Sequence, residues 1–405
     1  MNTSDITPLT TGVEDSPSKL ANESAVRLGF LEGMRGLAAF YVVLAHCQQQ
    51  VRGILPNTLL DYTRWMQYGH WAVDVFIILS GYCLMLPVVR SGDGQLRGGV
   101  VNYFIRRAKR IIPPYYAAII LSLLILTAMH SITKSGLNAG DYKNNFSVPV
   151  LLSHIFLVHN FSLRWIYAIN PAMWSVATEW QIYFVFPAIL LPVWRYLGSI
   201  AAVVTGFALG LILHFILPTS SNFDWAYPWY IGLFALGIAG ANIGFSTVPL
   251  EIKMRRGPWG SVGIMLIILI GLLIATHSRI LDNAYITDAL IGLLTVSGIV
   301  HAARYLTDTQ NGPRPWLLRV CDTKVVLLLG SFSYSLYLIH VPIIEAIFAL
   351  LLLSHANMIL IFGLLLGVGI PTSLAAAYLF SLAFEKPFLA SQRVRGIIQE
   401  KAVVL

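Results

Sequence analysis

Apolar residues run along this chain in blocks of about 20, parted by short clusters of Gly, Pro, Asn and charge. A helix rising about 1.5 Å per residue needs that many to cross about 30 Å of hydrocarbon. The blocks predict transmembrane helices at 32–51, 71–89, 111–130, 174–197, 199–217, 228–246, 261–277, 285–303, 325–350 and 357–384. The fold class that follows is all-α, a polytopic bundle of about ten transmembrane helices. Segment 150–168 is apolar too, but it holds His154, His159, Asn160 and Arg164 and ends at an Asn170-Pro171 break. It suits a re-entrant or interfacial piece better than a crossing.

Composition agrees with that pattern. Over 405 residues, 57% are hydrophobic and only 11% charged, with a mean hydropathy of +0.71, too few charges to cover a water-soluble globule. Cys47, Cys83 and Cys321 are an odd count without metal-ligand spacing, so neither a disulfide framework nor a metal site is expected. The net charge of +8 bears on membrane orientation before it bears on nucleic acid, for which no partner role is expected. Residues 1–26 are Ser/Thr-rich without an apolar stretch and read as a disordered tail. A membrane domain over 27–390 and a short tail over 391–405 complete the expected organisation.

Lys and Arg set the orientation. With ten crossings and a cytosolic N-terminus, 21 of the 27 basic residues fall on the inner side. Making 150–168 an eleventh crossing would move the clusters at 253–256, 304–324 and 386–401 outside and erase the bias. Both termini are therefore expected in the cytosol. No inverted repeat of the transporter kind is visible.

Ionisable groups inside spanning segments are expensive, and each is a candidate for function. In LEGMRGLAAFYVVLAHC, Arg35 and His46 lie eleven residues apart, three turns with about 20° to spare, so they share a stripe at depths about 16 Å apart. GHWAVDVFIILSGYCL brings Asp74 into the first turn of its helix and Ser80 and Tyr82 near the middle. NPAMWSVATEWQIYFVFP carries Trp174 and Glu179, and LLLGSFSYSLYLIHVPIIE carries Tyr334, Tyr337 and His340. His46, Asp74, Glu179 and His340 fall at mid-membrane or in the outer half. Arg35, Arg106, Arg107, Lys109 and Arg110 gather at the inner face. Plain readings exist for all of these: snorkelling, helix-end charge, interhelical hydrogen bonds, aromatic packing and positive-inside anchoring. The functional reading of the arginines is a site for a phosphorylated cytosolic cofactor, since guanidinium forks match phosphate oxygens.

These blocks, in this order, resemble the acyltransferase-3 family of integral membrane acyltransferases, which includes polysaccharide O-acetylases. The likeness runs from about Leu28 to Pro387. It rests on Arg35 and His46 as an Arg-x10-His pair, on VDVFIILSGY, and on Arg107 and Arg110 followed by IIPPYY. WSVATEWQIYFVFP, SYSLYLIHVP and the closing Glu385 to Pro387 complete it. Glu32 stands where the family pattern has Asp, and Ala-Thr precedes Glu179. The resemblance implies transfer of an acyl group, usually acetyl, from acyl-CoA to a hydroxyl of a carbohydrate or similar acceptor in a plasma or inner membrane. It makes His46 the base and the arginines donor-binding positions. Many relatives carry a soluble esterase-like domain after the membrane unit, so a second transfer step here is expected either to need a separate extracytoplasmic partner or not to occur.

On this reading Arg35, Arg107 and Arg110, with Ser80 and Tyr82, hold the donor. Glu179 and Asp74 orient His46, and Trp174, Tyr334, Tyr337 and His340 line the acceptor side. The competing reading is a proton-coupled transporter or flippase for an anionic or lipid-linked substrate, with the buried His, Asp and Glu as a proton relay.

Overall fold

The computed structural model describes residues 17–133, 146–216, 226–308 and 313–388, with side chains from Gly29 onward. Within these residues the chain is helical and contains no strand. In chain order the helices are α1 (Pro17–Val51), α2 (Asn57–Thr63), α3 (His70–Ser91), α4 (Gly99–Thr133), α5 (Val148–Ile155), α6 (Trp174–Val185), α7 (Leu191–Ile216) and α8 (Tyr230–Phe245). They continue with α9 (Pro249–Arg255), α10 (Trp259–Ala275), α11 (Ala284–Asp308), α12 (Trp316–Cys321), α13 (Lys324–Ser331), α14 (Ser333–Leu352), α15 (Met358–Leu364) and α16 (Ile370–Phe380).

Each of the ten expected segments falls largely on helix, although α1 and α4 begin well before the segments expected within them. Counted by length and apolar composition among the described residues, seven helical runs can cross a membrane, eight if one bent pair counts as a span. The difference from ten has three sources. Helix α10 is only 17 residues long. Helix α8 turns through 100° into the short α9. The run Trp174–Ile216 is a single stretch of 43 residues, about 65 Å of helix and so enough for two crossings. It breaks at Gly198, whose φ of 85° and ψ of −178° only glycine adopts freely. The protein is an integral, multi-pass membrane protein.

Segment 150–168 contains α5, eight residues long, one 3-10 turn at His159–Phe161 and then irregular chain. At about 12 Å, α5 is too short to span. Its Asn160 is held by protein: Gln181 on α6 donates to Leu157 O and Asn160 Oδ1, and Asn160 donates to Thr178, while the buried His159 stacks on His154 at 4.0 Å. Residues 1–16 and 389–405, most of the two expected tails, lie outside the described residues. Helix α1 already begins at Pro17, a residue whose fixed φ suits a first helical position. The basic run at 106–110 is also helical, part of the 35-residue α4, which places Arg107 and Arg110 one turn apart on one face.

Helix α8 is the centre of one half of the bundle. Every residue from Tyr230 to Gly244 is buried, as an all-round apolar sequence demands, against α3, α7 and α11. The other half is built on α14, which packs against α1, α4 and α16. In a bilayer, close helix contact depends on small residues. A Cβ on Gly81 of α3 would fall 2.1 Å from Phe234 O, and one on Gly237 of α8 would fall 2.1 Å from Ile78 O. Backbone blocks both. Gly81→Ala is therefore expected to force α3 and α8 apart and destabilise the fold by about 3 kcal/mol or more. Thermal unfolding of the detergent-solubilised protein checks this; a melting temperature within a degree of the parent would show that the contact yields.

Candidate active site

Five helices line one cavity that opens at a mouth. Helix α1 contributes Arg35, and α4 contributes Arg107 and Arg110. From α3 come Phe76, Ser80 and Cys83 at three- and four-residue spacing, one stripe of that helix. Helix α6 presents Ser175, Glu179 and Tyr183, each one turn from the next, and α14 presents Ser333, Tyr334 and Tyr337. Three guanidinium groups face one carboxylate, so the lining carries net positive charge. Arg35 lies against Cys83 and Glu179. The Nε of Arg107 is shielded from solvent without a hydrogen-bond partner.

Hydrogen bonds fix the wall. Tyr183 Oη donates to Glu179 Oε1 at 2.6 Å and lies 3.0 Å from Ser80 Oγ. A phenol has one proton and the carboxylate can only accept, so Ser80 is the donor to Tyr183. Tyr334 Oη donates to Ile111 O at 3.1 Å, tying α14 to α4. Behind Arg110, Glu385 accepts from Ser335 Oγ at 2.5 Å and from Ser335 N–H at 3.3 Å. Glu385 sits in a π-turn, Ser381–Glu385, the kind of local widening found where helices carry function.

The far wall is aromatic. Tyr337 Oη and Ser175 Oγ are 2.6 Å apart, and Phe76 meets the Tyr337 ring edge-on at 5.5 Å. The His340 ring lies 6.0 Å from that of Tyr337, and the His46 ring lies 5.0 Å from His340. His46 and His340 are thus not part of the cavity lining; Tyr337, which is, adjoins His340, and His340 adjoins His46. His340 is fully buried, whereas His46 is partly exposed.

Of the residues singled out in the sequence, Arg35, Arg107, Arg110, Ser80, Glu179, Tyr334 and Tyr337 meet in the cavity, with His340 and His46 behind it. Asp74, Tyr82 and Trp174 do not. Tyr82 is 200° around α3 from Ser80 and packs against Gly240 and Gly244 of α8. Asp74, fully buried, lies beside Tyr230 and Asp288. Asp288 accepts from Trp229 Nε1 at 2.8 Å and is 3.5 Å from His70 Nε2. Trp174 stacks on Tyr227 at 4.4 Å, while its neighbour Ser175 turns to the cavity. The expectation that Glu179 or Asp74 orients His46 finds no contact to rest on: Glu179 is held by Tyr183, and Asp74 faces α11. Sequence reasoning missed Ser175 and Tyr183, although their four-residue spacing from Glu179 marks them as sharing its face.

A basic cavity inside a helical bundle, with a histidine pair beyond its aromatic wall, is an arrangement that a membrane-embedded transferase of activated groups can use. The acyltransferase domain family matches residues 28–380, and this chain belongs to that family. Among curated proteins it is similar to the peptidoglycan O-acetyltransferase OatA of Listeria monocytogenes, 23% identical over 345 residues covering 81% of this chain and 51% of that protein. It is also similar to the O-acetyltransferase OatA of Staphylococcus aureus, 23% identical over 330 residues covering 78% of this chain and 51% of that protein. The chain spans about half the length of the curated relatives it matches. No solved structure matches it.

Proposed function

We propose that this protein moves an acyl group, acetyl in the first instance, from a coenzyme A thioester to a hydroxyl of a carbohydrate acceptor. The observation that carries the reading is the meeting of Arg35, Arg107 and Arg110 in one cavity whose opposite wall backs onto His46 and His340. Three guanidinium groups suit the phosphates of coenzyme A, and the positive-inside bias of the chain supports a cytosolic position for that end. The pantetheine arm then points toward Tyr337. Swinging this one side chain away from Ser175 is the movement that brings the thioester to His46.

In the transfer, His46 takes the proton of the acceptor hydroxyl. The oxygen forms the new ester bond to the acyl carbon, and the carbon–sulfur bond breaks with its electron pair leaving on sulfur. The proton held by His46 then passes to the departing thiolate. Carbohydrate is the acceptor class because the similar proteins are named as O-acetyltransferases, one of them of peptidoglycan; glycan fragments of peptidoglycan are the first acceptors to test.

Purified protein is expected to release free coenzyme A and to label the acceptor when given radiolabelled acetyl-CoA and such fragments. A carrier would leave the thioester intact, and recovery of unhydrolysed acetyl-CoA with every hydroxylated acceptor offered would refute the transferase reading.

A further inference from the structure

Resting on that reading, we infer that His340 is the positioning residue of His46, taking the place that a carboxylate fills in other histidine-based sites. Three observations carry this. First, His340 Nδ1 lies 2.9 Å from both Leu336 O and Tyr337 O, carbonyls of its own helix. Carbonyl oxygens only accept, so the ring proton of neutral His340 sits on Nδ1 and Nε2 is bare. Second, that bare Nε2 is fully buried and has no hydrogen-bond partner. Leaving a buried acceptor unpaired is costly, so a donor within reach of it is stabilising. Third, the neighbouring ring able to donate is that of His46, 5.0 Å away between centroids and tilted by 55°. A small rotation of His46, such as often accompanies substrate binding, closes that gap.

The consequence is a defined tautomer. When the N–H of His46 points at His340 Nε2, the other ring nitrogen of His46 is unprotonated and free to face the acceptor hydroxyl. His46 then takes that proton and becomes an imidazolium, whose first N–H remains on His340. His340 never changes its own protonation. A neutral imidazole in this role avoids burying a carboxylate beside the base, consistent with Asp74 and Glu179 being engaged elsewhere. Gln49, a turn beyond His46, also hydrogen-bonds its ring, but Gln49 is exposed whereas His340 is fully buried, so the two are weighed against each other in the test below.

The test is a double-mutant cycle on the full chain with acetyl-CoA and a glycan acceptor, following kcat, KM for acetyl-CoA and coenzyme A binding by calorimetry. His340→Phe keeps the ring and removes the acceptor, and a fall in kcat of about 10- to 100-fold with KM for the donor unchanged is expected. His340→Gln, which restores an acceptor near the Nε2 position, is expected to recover part of the loss. In a His46→Ala background, His340→Phe is expected to cost nothing more, because it acts only through His46. Unaltered kcat in His340→Phe, or a loss that adds in full to that of His46→Ala, overturns the inference. So does a larger loss in Gln49→Ala than in His340→Phe. If His340→Phe loses coenzyme A binding while His340→Gln binds and turns over no better, the residue is structural and the inference fails. Full activity in His46→Ala alone is a different result, because it removes the base assignment itself and the pairing with it.

Discussion

Changing His46 to alanine is expected to lower acyl transfer by about 10²- to 10⁴-fold, the range a positioned general base contributes. A sugar hydroxyl is a weak nucleophile at neutral pH, and the other imidazole near the cavity among the described residues, His340, is fully buried, whereas His46 is partly exposed and the one an acceptor can reach. The loss belongs in kcat. Coenzyme A binding should stay within about twofold of the parent, because the groups assigned to the phosphates sit on α1 and α4 at the opposite end of the cavity. Calorimetric titration with coenzyme A, beside turnover of acetyl-CoA, separates the two effects. A variant that lost donor binding as fully as turnover would make His46 a packing residue. One that turned over normally would leave the chemistry without its base.

The transmembrane architecture was legible because the bilayer leaves a chain few options: every spanning backbone must be helical and every spanning run must be long and apolar. The same constraint identified 150–168 as something other than a crossing, since its histidines and Asn160 need protein partners that lipid does not provide. The site was legible at the level of blocks and less so at the level of faces. VDVFIILSGY reads in the sequence as a unit, yet within it only every third or fourth residue can look into one cavity. Ser80 does, and Tyr82, two positions on, is turned to α8 by helix geometry alone. Asp74 was placed beside His46 on the strength of depth, and depth says nothing about azimuth. The departures from regular helix are partly readable too. Pro187 lies within the π-turn Phe186–Leu190, where a residue without N–H cannot complete the α-helical ladder. The turn at Ser381–Glu385 has no proline within it, and its reason is tertiary: it brings Glu385 onto Ser335 of α14.

Removing both Arg107 and Arg110 tests the other end of the cavity. A hydrogen bond to a charged group contributes about 1.5–3 kcal/mol. Each 1.4 kcal/mol is tenfold in affinity, so the double change to alanine is expected to raise KM for acetyl-CoA by about 10²- to 10⁴-fold with a smaller effect on kcat. Lysine at the same positions keeps charge but loses the bidentate fork, and an intermediate affinity follows. General destabilisation would imitate part of this, and the donor itself provides the control. S-acetylpantetheine carries the same thioester without the nucleotide and its phosphates. The parent protein should use it poorly, and the double variant should use it equally poorly, because the two arginines have nothing left to hold. Destabilisation would depress both donors alike. If the double variant kept the parental KM for acetyl-CoA, the cluster would be membrane-face anchoring, the ordinary role of arginine at the inner end of a helix, and the donor would have to bind elsewhere.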